Sequence, residues 1–165
     1  MNLRLIETTA DDLDFVLSAE ADPEASAFVI RWSRGQHEQA LTDPDQAHLL
    51  VSDGVRPIGF VLLAGLTSDH RSIEVRRIVV TTRGEGLGRQ ALFLVLELAF
   101  GTLGAHRVWL DVKVPNTRAR RAYVAVGFVE EGTLRDALLT NGNHESLIVM
   151  SILRHERIAR NERIR

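Results

Sequence analysis

The stretch Arg76–Phe100, RRIVVTTRGEGLGRQALFLVLELAF, decides the fold of this chain. A β-branched run ends at Val80, glycines follow at positions 84, 86 and 88, and an apolar helical pattern begins at once. The pattern predicts a strand that turns tightly into a largely buried helix. Such a helix start presents unpaired backbone N–H groups, and glycines let an anion approach them closely. The junction indicates a phosphate-binding site, although a plain tight turn would have the same composition.

The rest of the chain predicts the element order β, α, α, β, β, β, α, β, α, β, β. We expect a first strand at Asn2–Glu7, a helix start at Thr9, a second helix capped by Ser33, and hairpin turns at Asp53-Gly54 and Asn141-Gly142. The strand-helix-strand unit in the middle implies a right-handed parallel crossover, whereas the hairpins imply antiparallel pairing. A mixed sheet with helices on its faces is the consistent architecture.

Composition limits the function classes. The 165 residues suit one domain, expected at 1–153, with 154–165 as a charged tail in solvent, and the net charge of −2 predicts no nucleic-acid partner. The absence of cysteine excludes disulfides and a cysteine-acyl intermediate, and the six scattered histidines predict no metal site. No apolar run of about 20 residues predicts a membrane span, and the N-terminus lacks a signal-peptide layout, so we expect a cytoplasmic protein.

Three known phosphate loops compete for the glycine junction. A Walker A loop is excluded because Arg89-Gln90 follows Gly88 where that loop needs Lys-Ser/Thr. The dinucleotide fingerprint G-x-G-x-x-G/A does match Gly86–Ala91, with Asp111 about 20 residues further on. Only one helix remains after Asp111, which is too little for two mononucleotide-binding halves, so a dinucleotide-binding enzyme stays the weaker alternative.

The third match is the best. Arg83-x-x-Gly86-x-Gly88 resembles the R/Q-x-x-G-x-G/A signature of the GNAT superfamily of N-acetyltransferases, and the run from Asn116 to Phe128, N-x-x-A-x-x-x-Y-x-x-x-G-F, resembles its second hallmark. The chain is most similar to the branch of ribosomal-protein N-terminal and polyamine acetyltransferases. This resemblance implies an α/β (α+β) fold: a mixed, mostly antiparallel seven-stranded sheet with a central parallel splayed strand pair and helices on both faces.

The resemblance also implies that acetyl-coenzyme A binds, without a metal. Its pyrophosphate would contact backbone N–H groups of the glycine loop, its pantetheine arm would pair with the backbone of the preceding strand, and further contacts would come from two arginine side chains and one asparagine. The residues so implied are Ile78, Val79, Val80, Arg83, Gly84, Gly86, Leu87, Gly88, Arg89 and Asn116.

Catalytic roles follow from the same resemblance. Tyr123, the single tyrosine, would protonate the leaving thiolate; otherwise it is a half-buried aromatic residue. Glu74 is the candidate general base, expected on the same strand face as Ile78; otherwise it is a solvated carboxylate paired with Arg76. Without cysteine, we expect direct attack of a neutral amine on the thioester in a ternary complex.

The acceptor is expected to be a primary amine, either a protein N-terminus or a small molecule. Phe28 and Trp32, between the first two helices, would wall an apolar acceptor slot, together with the last hairpin around LLTNGNHE. These two segments contain no acidic cluster that would bind a polycation, which disfavours a polyamine as the acceptor. A non-catalytic acyl-coenzyme A-binding module is the alternative reading, and the sequence allows a monomer or a homodimer.

Overall fold

The computed structural model describes residues 2–25 and 27–157. The strands and helices follow the predicted order, with the first strand starting at Arg4 rather than Asn2. The elements are β1 Arg4–Glu7, a 3-10 turn Ala10–Asp12, α1 Leu13–Ala21, α2 Arg34–Thr42, β2 Gln46–Ser52, β3 Pro57–Ala64, β4 Ser72–Val80, α3 Leu87–Phe100, β5 Arg107–Lys113, α4 Thr117–Val126, β6 Val129–Thr140 and β7 Asn143–Leu153.

The predicted sheet is confirmed. Seven strands lie in the order β1-β2-β3-β4-β5-β7-β6, and every adjacent pair is antiparallel except β4 and β5. The parallel ladder is short: it joins Ser72–Glu74 to Arg107–Trp109 and then ends. Beyond it the two strands splay apart, so the β5-facing backbone of residues 75–80 has no strand partner within the described part of the chain. This gap positions the site.

Helices cover both faces of the sheet. The larger core packs α3, through Leu92 and Leu96, and α4 against apolar side chains of the central strands, including Val75 and Leu110. A smaller core on the other face joins Leu13 and Val16 of α1 to Leu50, Phe60 and Val79. Alternate residues of each strand therefore belong to opposite faces, as the period of two requires.

A bulge in β4 breaks that alternation. Leu62 pairs with Arg77, but Leu63 pairs with Val75, so Arg76 is an extra residue with no partner on β3. Val75 contributes to the larger core, and Ile78, three residues later, packs against the same core. An unbulged strand would place residues three apart on opposite faces, so the bulge re-aims the second half of β4.

The predicted Ser33 cap and the Asn141-Gly142 turn are present, whereas Thr9 precedes the 3-10 turn and α1 begins only at Leu13. The Ser33 side chain accepts from the Gln36 N–H, and Asn141 and Gly142, both with positive φ, form the β6–β7 turn. At the start of the predicted tail, the Arg154 guanidinium donates to the carbonyls of Phe100 and Ala105, so this residue is docked rather than extended into solvent. Residues 158–165 lie outside the described part. No helix among the described residues has the length and apolarity to cross a bilayer.

Candidate active site

A cavity of about 570 Å³ occupies the opening between β4 and β5. Its walls come from the loop between α1 and α2, the second half of β4, the start of α3, the end of β5, α4 and the β6–β7 hairpin. Because the strands splay, the cavity is lined by residues from both faces of the sheet. It therefore connects the glycine junction on one side with the α1–α2 loop on the other.

The structure brings half of the sequence-predicted site residues to this cavity. These are Phe28, Ile78, Val80, Arg83, Gly88, Asn116 and Tyr123. The other half lie outside its lining: Glu74, Val79, Gly84, Gly86, Leu87, Arg89 and Trp32. Val79 points into the smaller core and Leu87 into the larger one, so any contact they make with a ligand would come from the backbone.

The glycine junction has an open backbone. Gly84, Glu85 and Gly86 all have positive φ (91°, 53° and 67°), and a Cβ added at Gly84 or Gly88 would meet nothing within 4 Å. No side chain among the described residues caps the start of α3. The Leu87 N–H already donates to the Gly84 carbonyl at 3.2 Å, which makes it the weakest of the predicted donors. Consecutive left-handed residues before a helix form a concavity suited to an anion.

Tyr123 and Asp111 meet at the cavity. Desolvation by burial, with a further contribution from the Asp111 charge, raises the pKa of Tyr123 to about 12. Asp111 faces the open cavity, and the protein packed around it raises the pKa of its carboxyl by desolvation. Sequence reasoning considered Asp111 only as a nucleotide contact. The sequence did contain a signal for this placement: Asp111 lies between Leu110 and Val112, so its side chain points to the face of the sheet opposite the larger core.

Glu74 does not lie where the sequence predicted. The bulge at Arg76 separates it from Ile78, so the two residues occupy opposite faces of β4, and the expected shared face is wrong. The Glu74 carboxylate accepts two hydrogen bonds from the Arg76 guanidinium, at 3.0 and 3.2 Å. This is the ion pair of the alternative reading. Whether Glu74 acts as a base stays a prediction.

A buried polar network holds the α1–α2 side of the cavity. Glu20, 1% exposed, contacts Arg77 at 3.2 Å and His37 at 3.2 Å, and it accepts from the Trp32 backbone N–H at 3.0 Å. His37 in turn contacts His48 at 3.0 Å, and burial lowers the pKa of His48 to about 4. These contacts fix the loop that carries Phe28.

Trp32 serves this network rather than the cavity wall. Its ring lies under the Arg77 guanidinium, at 4.3 Å from the ring centroid, and against His37. Arg77, which does line the cavity, also donates to the Ile30 carbonyl. The predicted apolar slot is therefore lined by Phe28 but not by Trp32, because Arg77 lies between the indole and the cavity.

Comparisons with known proteins agree with the fold. The model of the acetyltransferase (GNAT) family matches residues 8–128. The chain is 30% identical over 128 residues to a spermidine N(1)-acetyltransferase of Vibrio cholerae, covering 76% of this chain and 74% of the relative. It is 33% identical over 139 residues to the putative ribosomal N-acetyltransferase YdaF of Bacillus subtilis, covering 84% and 73%.

A solved structure extends the likeness to the whole described domain. The crystal structure of spermidine N-acetyltransferase from Vibrio cholerae in complex with CoA and spermine superposes with a TM-score of 0.83 at 26% identity, covering 94% of this chain and 98% of the other. The short parallel ladder, the open glycine junction and the cavity between β4 and β5 thus agree with the family match. The chain belongs to the GNAT acetyltransferase family and is an N-acetyltransferase.

Proposed function

We propose that the protein transfers an acetyl group from acetyl-coenzyme A to a primary amine by direct attack in a ternary complex. The observation that carries the proposal is one cavity that joins the open glycine junction to Tyr123 and Asp111. An acyl carrier and an amine could enter from opposite faces of the sheet and meet between β4 and β5. Holding two reactants in this way converts a bimolecular step into an effectively unimolecular one.

The residues present fit the carrier. The three glycines leave backbone N–H groups accessible at the positive end of α3, and the unpaired backbone of Ile78–Val80 can hydrogen-bond an extended amide-containing arm. Asn116 is available in part: its side-chain oxygen accepts from the Ala119 N–H at 3.2 Å, which leaves its amide N–H groups for a ligand. Bound acetyl-coenzyme A would supply the activated acetyl group as a thioester.

Tyr123 is the proposed acid. A phenol with a pKa of about 12 stays protonated at neutral pH and is always ready to donate. Giving that proton to a thiolate that kept its aqueous pKa of about 8.5 would be uphill by about 5 kcal/mol. The same burial and the same Asp111 charge that act on the phenol also disfavour a neighbouring thiolate, so the two pKa values converge at the site.

Asp111 is the proposed base, with Glu74 as the alternative. An acceptor amine arrives mostly as an ammonium ion and must lose a proton before attack. A carboxylate with a raised pKa binds that proton more tightly, and Asp111 faces the cavity whereas Glu74 is paired with Arg76 outside its lining. Support for Asp111 is therefore geometric as well as electrostatic.

The test is a screen of primary amines for release of free thiol from acetyl-coenzyme A, run with the wild-type protein and with Tyr123→Phe. We expect turnover with at least one amine, and a variant that keeps its affinity for coenzyme A but loses about a hundredfold or more in kcat. Full turnover by the variant would remove Tyr123 from the acid role. Coenzyme A binding without turnover on any amine would favour the alternative, a non-catalytic acyl-coenzyme A-binding module.

The remaining sequence predictions are proposals of the same kind. We propose a cytoplasmic protein, a monomer or homodimer, in which one domain at 1–153 carries the whole site. A small-molecule amine and a peptide N-terminus are both compatible with the open cavity. The choice between these acceptor classes depends on the charges that line the cavity near the α1–α2 loop and the β6–β7 hairpin.

A further inference from the structure

The part of the cavity lined by the α1–α2 loop, residues 76–77 of β4, the end of β5 and the β6–β7 hairpin is called here the acceptor side. It contains more cationic than acidic side chains. Asp111 and Lys113 face the α1–α2 side, because their neighbours on β5, Leu110 and Val112, point into the larger core. Arg77 faces the same side, because its neighbour on β4, Ile78, packs against that core and the Arg77 guanidinium contacts Glu20 of α1.

Among the described residues that line the cavity, only Glu24 and Asp111 are acidic. Glu24 lies 2.9 Å from Arg83, toward the glycine junction. Of these two lining acids, Asp111 is the one for which no described residue provides an ion-pair partner.

Three cationic side chains of the cavity lining each form an ion pair with an acid that lies outside the lining. Arg76 pairs with Glu74 at 3.0 Å, Arg77 with Glu20 at 3.2 Å and Lys113 with Glu145 at 2.8 Å. None of these three acids belongs to the cavity lining. A second ammonium group entering the cavity would therefore meet cations and no free carboxylate, and burying a charge without a partner is costly.

The remaining acceptor-side lining is apolar. Phe28, Val29 and Ile30 approach from the α1–α2 loop, and Leu138 and Leu147 from the β6–β7 hairpin. Phe28 and Ile30 are 39% and 48% exposed, so they offer apolar surface that a ligand could cover. A ligand that carries one ammonium group and a hydrophobic substituent could pair with the Asp111 carboxylate and also cover these apolar side chains.

From this arrangement we infer that the acceptor is a monoammonium compound whose amine-bearing carbon carries an apolar group, and that polyamines are poor acceptors. The inference rests on the proposed function and narrows its substrate class. Two sources offer the same chemistry: a free apolar amine, and a peptide whose first residue is hydrophobic. The inferred acceptor of this chain therefore differs from the spermidine for which its relative in Vibrio cholerae is named, although the two proteins share a fold.

The experiment compares kcat/KM for four acceptors with the wild-type protein: 2-phenylethylamine, spermidine, and two otherwise identical peptides that begin with Phe or with Lys. We expect 2-phenylethylamine or the Phe peptide to exceed spermidine by about tenfold or more, because an unpaired buried charge discriminates more strongly than a missing methylene. Whichever of these two is the better substrate identifies the source. Spermidine as the best acceptor, or a Lys peptide better than a Phe peptide, would overturn the inference.

Adjacent leucines provide a matched pair of variants. Leu138 lines the cavity, whereas Leu139, its neighbour on β6, does not and is 66% exposed. Leu138→Glu would add a second carboxylate to the apolar wall, so the ratio of spermidine to phenylethylamine kcat/KM should rise about tenfold or more, while Leu139→Glu should leave it unchanged. Equal ratios in both variants would contradict the inference. No thiol release with any acceptor would instead refute the proposed function, and this inference with it.

Discussion

At the residue scale, Tyr123 offers a direct measurement because it is the only tyrosine of the chain. Its phenolate absorbance should titrate with a midpoint near the pKa of about 12 in the folded protein and near about 10 in urea. In Asp111→Asn the folded midpoint should fall, since the Asp111 charge contributes to the shift.

The same titration has a consequence for stability. The folded pKa lies above the unfolded one, so the contribution of Tyr123 to the free energy of unfolding is fully present below about pH 10. It should be lost, by up to about 3 kcal/mol, as pH rises toward 12. Tyr123→Phe, which has no proton to lose, is the control. A folded midpoint near 10 would show that the phenol is not desolvated.

The two candidate bases can be compared by paired substitutions that preserve shape. Asp111→Asn should lower kcat/KM by about a hundredfold or more and remove the acidic limb of its pH profile, because the carboxylate no longer takes the ammonium proton. Glu74→Gln should cost less than about threefold, since the carboxylate is tied to Arg76. The reverse ranking would return the role of base to Glu74.

At the element scale, β4 depends on how closely β3 can approach it. A Cβ at Gly59 would lie 2.2 Å from the Val79 carbonyl oxygen and 3.0 Å from the Val80 Cα, both backbone atoms that cannot rotate away. Gly59→Ala should therefore lower the free energy of unfolding by at least about 1–3 kcal/mol in urea and weaken coenzyme A binding, because β4 forms one wall of the cavity. Gly132→Ala, with nothing within 4 Å, is the control and should change neither quantity.

At the scale of the whole molecule, the splay between β4 and β5 makes the ligand a bridge between the two halves of the sheet. Coenzyme A at about a hundred times its Kd should stabilise the fold by about 2.7 kcal/mol and raise the Tm accordingly. NAD should have no such effect, because the described residues contain a single crossover helix between parallel strands, α3. A larger shift with NAD would revive the dinucleotide reading of Gly86–Ala91.

Local sequence determined the elements and the loop between them. The period of two in the strands, the apolar stripe of α3, the Ser33 cap and the Asn141-Gly142 turn are encoded by neighbouring residues, so they were predictable without tertiary contacts. The same holds for the open backbone and the positive φ at Gly84 and Gly86, because these are properties of glycine itself. Glu85 also has a positive φ, which its residue type does not encode. The splay of the parallel strands β4 and β5 was predicted only from the family resemblance, because no local sequence pattern encodes it.

Only the tertiary structure decided which side chains reach the cavity. The bulge at Arg76 arises from pairing with β3, and it moved Glu74 to the face opposite Ile78, where alternation alone had placed the two together. Asp111 became a candidate base because β5 diverges from β4 and exposes the Asp111 carboxylate to the cavity. Trp32 does not line the cavity, because Arg77 stacks over its ring. A sequence determines the alternation of one strand, but the register between strands and the packing of loops against them are fixed by contacts between segments far apart in the chain.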